Sequence, residues 1–162
     1  MNIDTLIDIL IKKRLGLNDD IKRNNSMLCG DSYHIACVID TKKSKFIPLS
    51  YGINDISIIN KSHHAEYDAI RHLPFRRKNL KNKLINMLVI RISKNKKIMQ
   101  SKPCVHCVKF LNKINETTSY QINRIYYSDN DGDIIDSSLN ELKQNTTHIS
   151  KFHRMNYCVK IE

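Results

Sequence analysis

The chain has 162 residues and a formal charge of +11 at pH 7. At roughly 100–200 residues per domain, this length reads as one domain over residues 1–162, long enough to close a hydrophobic core. Hydrophobic residues make up 41% and charged residues 27%, which excludes a wholly disordered chain, and no apolar run approaches the roughly 20 residues of a membrane helix.

The N-terminus, MNIDTLIDIL, carries two aspartates and no basic run, unlike a secretory signal. Five cysteines (Cys29, Cys37, Cys104, Cys107 and Cys158) form an odd set that argues against a disulfide framework. The expected compartment is intracellular and reducing, cytoplasm or nucleus. Ile, Asn and Lys together fill 60 of the 162 positions, so part of the lysine excess is compositional bias.

Ile3, Leu6, Ile7, Leu10 and Ile11 recur at helical spacing and predict a helix over residues 3–14, stopped by Gly16. Residues 17–32 are polar and read as a loop. Residues 34–40 (HIACVID) are short, apolar and β-branched, a buried strand. Residues 46–53 form a second strand that Pro48 pushes to an edge or a bulge. A helix over residues 62–73 ends before Pro74. Residues 75–83 are a basic connector, and residues 84–93 (LINMLVIRIS) are the most hydrophobic strand, placed centrally. Pro103 opens a third helix. Residues 122–128 are a strand, 129–133 (DNDGD) a turn, and the chain from Ile134 continues as a strand or a short helix. Residues 143–162 form a C-terminal tail whose role is not legible. His148, His153 and Arg154 within it could cover a pocket, but more simply lie on the surface. Alternating strands and helices imply a sheet with helices on both faces.

Two motifs carry chemistry: His64-Ala65-Glu66 and Pro103-Cys104-Val105-His106-Cys107. Cys104 and Cys107, three apart, share one helix face in its first turns, where the helix dipole favours thiolates. With His64 they make three ligands suited to Zn2+ and leave one tetrahedral position for water. Glu66, not itself a ligand, is then the nearby proton acceptor. A closed structural zinc site would need a fourth protein ligand, and His106 falls on a different helical face. His63 sits beside His64, but the H-x-E register selects His64. Cys29, Cys37 and Cys158 read as small buried hydrophobes.

H-x-E followed by P-C-x-x-C is the pattern of zinc-dependent nucleobase deaminases. The chain resembles the cytidine and deoxycytidylate deaminase superfamily over about residues 32–142: HAEYDAI (64–70), PCVHC (103–107), the strands HIACVID and FIPLSYGI, and RIYYSD (124–129). The resemblance implies an α/β three-layer α-β-α sandwich around a mixed five-stranded sheet of the cytidine deaminase type. It implies zinc on His64, Cys104 and Cys107, proton transfer by Glu66, and substrate contacts from Asn54 and Ala65. Asn54 could equally be an ordinary turn residue. Asp68 stands where relatives often have Asn, and the loop Gly52-Ile53-Asn54-Asp55 differs from theirs. Relatives often form homo-oligomers, which is the expectation here.

Between Ala69 and Asn115 there are 13 Lys or Arg and no acid, while the rest of the chain nets −2. A positive field favours an anionic substrate or a nucleic acid. Arg76, Arg77, Lys78, Lys81 and Lys83 are the phosphate-binding candidates. Phe75 beside them could stack on a base or anchor a core. Asp131-Gly132 signals a hairpin. If residues 134–139 pair back on 122–127, the last strands are antiparallel, an arrangement that the resemblance associates with free-nucleoside enzymes. A calcium-loop reading of 129–133 fails, because the glycine falls at the wrong position. The expected function is therefore zinc-dependent hydrolytic deamination of cytosine to uracil in a nucleoside or nucleotide, with (deoxy)cytidylate leading. The alternatives are a deaminase editing cytosine or adenine in nucleic acid, or a non-catalytic basic nucleic-acid-binding protein with a deaminase fold. No membrane partner is expected.

Overall fold

The computed structural model describes residues 2–22, 32–42, 45–54, 64–93 and 95–149, with backbone alone for 14–22 and 41–42. The elements are α1 (Ile3–Lys22), β1 (Ser32–Lys42), β2 (Lys45–Ile53), α2 (Ala65–Arg71), β3 (Lys83–Ser93), β4 (Ile98–Met99), α3 (Val105–Thr117), β5 (Tyr120–Ser128), β6 (Ile134–Ser138) and α4 (Leu139–Asn145). The expected stop at Gly16 is corrected: α1 runs through it to Lys22, taking with it the first part of the expected loop. A mid-helix glycine costs only about 1 kcal/mol, and the apolar spacing in the sequence resumes at Leu17 and Ile21.

The strand order is β2-β1-β3-β5-β6, with two-residue β4 pairing β3, so the expected five-stranded sheet gains a short sixth strand. β3 and β5 are parallel, and every other pair is antiparallel. The β3–β5 pair is parallel because the chain between them crosses over through α3. β3 is central, as its hydrophobicity predicts. Pro48 behaves as expected twice over. It lies on edge strand β2, and the ladder skips Leu49, pairing Val38 with Ser50 and Ile39 with Pro48. The hairpin expectation also holds, since β6 runs antiparallel to β5. Asp129 Oδ1 accepts the N–H groups of Asp131 and Asp133, and Gly132 supplies φ +93°.

Alternation along the strands builds two cores. Ala36, Val38, Ile85, Met87 and Val89 face α2, α3 and α4 on one side. Ile35, Cys37, Ile39, Leu88, Ile90 and Ile92 face Leu6, Ile7 and Leu10 of α1 on the other. This is a three-layer α-β-α arrangement. α2 lies unusually close to the sheet: a Cβ at Gly52 would come within 2.1 Å of Ala69 N and 2.2 Å of Ala65 O. Ser50 Oγ donates to Ala69 O at 2.7 Å, and Ile53 N donates to Asp68 Oδ2 at 3.1 Å. Glycine is thus required where α2 crosses β2, and Asp68 is a clamp between the helix and the strand end.

Candidate metal centre

His64 and Cys104 are the N-caps of α2 and α3, both in extended backbone and neither capping with its side chain. Pro103 therefore stands one residue before the N-cap, not at the first helical position as expected. The parallel crossover from β3 through α3 brings the N-terminus of α3 beside that of α2, over the end of the sheet where β3 finishes. Two helix dipoles point their positive ends at one spot, which favours thiolates there.

His64 Nδ1 lies 3.1 Å from Cys107 Sγ and 3.5 Å from Cys104 Sγ. The three ligand atoms fall within 4.8 Å of one another, and no fourth His, Cys, Asp or Glu joins them among the described residues. The two sulfurs share charge unequally: the interaction with Cys107 pushes the Cys104 pKa down to about 3. The same interaction, with burial, raises Cys107. His64 is raised, chiefly by its bond to Cys104. Three soft or borderline donors this close together could hold a metal ion.

Glu66, in the first turn of α2, is only 4% exposed. Burial raises its pKa, and its carboxyl group lies within reach of the Cys107 sulfur. The carboxyl group thus points at the cluster without belonging to the ligand set. Ala65 is fully buried beside it, its carbonyl facing Gly52.

Asn54 ends the β1–β2 pair. Its Oδ1 accepts from His34 N at 2.8 Å, and its N donates to His34 O at 3.2 Å. The side-chain oxygen therefore has a structural task, while Nδ2 makes no hydrogen bond among the described residues. His63, His153, Arg154, Cys29 and Cys158 lie outside the described residues. His148 is placed: its carbonyl accepts from Val105 N at 3.0 Å, so the start of the tail reaches the metal end and satisfies an orphan N–H of α3.

The basic cluster does not reach the metal. Lys78 Nζ donates to Asn115 O, Arg77 bridges Thr118, and Arg76 Nε donates to Ser119 Oγ. All three mark the C-terminal end of α3, whose 13 residues hold it about 20 Å from Cys104. Lys83 pairs with Asp40, and Lys81 lies exposed on the same connector. Phe75 anchors no core; it is 82% exposed.

Two features escaped the sequence reading. Ser101 Oγ donates to Val89 O at 2.7 Å and lies 2.8 Å from Ser128 Oγ, and Ser101 N donates to Ser128 O at 2.8 Å. This buried network locks the chain two residues before Pro103 and so sets Cys104. The only signal was a small polar residue just ahead of the Pro-Cys pair. His34, on β1, is the other. Its pKa is lowered to about 4 by burial, then by Arg91 and His64, and is partly offset by Cys104. Nothing in the string HIACVID marks it as more than a strand residue.

No family model, no curated protein and no solved structure matches this chain. No helix among the described residues is long and apolar enough to cross a membrane.

Proposed function

We propose that the protein is a zinc-dependent hydrolase of the cytidine and deoxycytidylate deaminase superfamily, converting cytosine to uracil in a nucleoside or nucleotide. The observation that carries this is one imidazole and two sulfurs meeting at two helix N-termini with a buried carboxyl group against them. The donor set fits zinc. Bonds of about 2.0–2.1 Å to nitrogen and 2.3 Å to sulfur give tetrahedral ligand separations near those between His64 and the two sulfurs. Three ligands without a fourth among the described residues match an open site better than a closed structural one. The metal, when bound, supplies the Lewis acidity that makes water a nucleophile near neutral pH.

The chain's own residues do the rest. Glu66 accepts the proton of the attacking water and passes it to the ring nitrogen N3. Once the bond from oxygen to C4 has formed, Glu66 takes the second proton from the new C4 hydroxyl and hands it to N4, the C4–N4 bond breaks, and ammonia leaves a C4 carbonyl behind. Burial raises its pKa above the ordinary carboxylate value. The Ser101 network holds Cys104 still, and Gly52 lets α2 carry Glu66 down onto the sheet. The antiparallel β5–β6 hairpin agrees with the free-nucleoside arrangement among the enzymes that the chain resembles.

The test is ammonia release across cytosine and adenine nucleosides and nucleotides, with metal-loaded and chelator-treated protein. Zinc-dependent release from a cytosine substrate is expected. Turnover that survives chelation, or none on any substrate, overturns the reading.

A second reading, a nucleic-acid-binding role, is favoured by one observation: Phe75 is exposed among Arg76, Arg77, Lys78 and Lys81. It predicts binding to single-stranded oligonucleotide that weakens steeply with salt.

A further inference from the structure

The strand register lines up a row across the sheet at the metal end. Asn54 stands beside His34, His34 pairs with Arg91, and Arg91 pairs with Met99. Directly paired residues point to the same face. His34 continues the series Ala36 and Val38, and Arg91 the series Met87 and Val89, so the row faces the α2–α3 side. The row lies at the end of the sheet where β3 finishes, the end to which Ser101 ties the chain just ahead of Cys104 and where α2 and α3 begin.

Resting on the reading of that cluster given above, we propose that Arg91 recognises an anionic group of the substrate, and that the substrate is a nucleoside monophosphate rather than a free nucleoside. Arg91 is half-buried, and its Nε donates to Ser32 Oγ at 2.8 Å. That bond orients the guanidinium and uses one of its five donors. The two terminal nitrogens, the fork that matches a phosphate, have no partner among the described residues, and no carboxylate there pairs with the group. The contrast with the far end is direct: Arg76 and Lys78 spend their donors on Ser119, Lys81 O and Asn115 O, about 20 Å from Cys104. Of the cations expected from sequence to meet phosphate, none sits at the metal end; Arg91 does. The β5–β6 hairpin describes how the far edge of the sheet closes, not what the β1–β3 face presents, so the two observations do not conflict.

The test is equilibrium binding of CMP and cytidine to zinc-loaded, full-length Glu66→Gln protein by calorimetry at low ionic strength, where no turnover occurs. CMP is expected to bind roughly 10- to 100-fold tighter than cytidine, the range for hydrogen bonds to a charged group. Adding Arg91→Gln should bring the ratio close to one. Arg91→Lys, which keeps the charge and loses the fork, should leave an intermediate ratio and reads the same quantity if the glutamine variant does not fold. Equal affinities in the Glu66→Gln background, or a ratio unmoved by both Arg91 variants, overturn the inference while cytidine binding leaves the deaminase reading standing. Binding of neither ligand, with no ammonia released by the wild type, overturns both.

Discussion

The two ends of the sheet make opposite use of charge. At one end, few formal charges are present, but each is buried or half-buried and held against a neighbour: Glu66 near Cys107, Cys104 against His64, Arg91 against Ser32. At the other, Arg76, Arg77, Lys78, Lys81 and Lys83 crowd one short connector, largely in solvent; Arg76 bonds the connector carbonyl of Lys81, Lys78 the carbonyl of Asn115 near the end of α3, and Lys83 the carboxylate of Asp40. Solvent screening makes each exposed cation worth little, while a half-buried one acts at close range in a lower dielectric. The density of charge in the sequence therefore points away from the His64, Cys104 and Cys107 cluster.

The largest expected effect sharpens this contrast. Glu66→Gln should retain the metal, measured by elemental analysis, and lose turnover by about 10²–10⁴-fold. Wild-type rate in that variant would break the assignment of the metal end as the reactive one. Next, Gly52→Ala drives a Cβ into the backbone of α2. We expect a loss of about 2–4 kcal/mol in chemical denaturation, with weakened metal binding because His64 caps that helix. An alanine that folds with normal metal affinity would show that α2 can shift freely.

His34 gives the pH test. Its folded-state pKa of about 4 lies below the unfolded value near 6.5, so the unfolded chain takes up the proton first. Stability is then complete above about pH 6.5 and is lost as pH falls toward 4. By pH 5 the loss is about 2 kcal/mol. His34→Gln should flatten that part of the pH profile, and an unchanged profile would place His34 in solvent. The smallest effect belongs to the basic end. Arg77→Glu with Lys81→Glu should change mononucleotide turnover less than about twofold at physiological salt, where the Debye length is about 8 Å. A tenfold drop would join the two ends and break the comparison.

Much of the fold was legible because it depends on local pattern. Residues 34–40 and 84–93 are apolar and β-branched, Pro48 cannot donate to a ladder, and Asp131-Gly132 favours a tight reversal. Each of these became the expected strand, edge bulge or hairpin. The extension of α1 past Gly16 was not legible, because a glycine penalty of about 1 kcal/mol is small enough for context to override. That His64, Cys104 and Cys107 come together was legible from their two motifs. Their supports, Ser101 with Ser128 and Gly52 beneath α2, were not, because each acts on a partner 13 or more residues away.

Read as a string, the chain already carried its His64, Cys104 and Cys107 motifs, the Glu66 carboxylate and its layer pattern, since side-chain chemistry and periodicities of 2 and 3.6 need only neighbours. Folding alone decided which charges lie near that cluster. The parallel β3-α3-β5 crossover carries the cations of residues 76–83 to the far end of α3, and the antiparallel β1–β3 register brings Arg91 and His34 to the near end. Pairing across strands is set by the whole sheet closing over its core, which no segment of the chain encodes by itself.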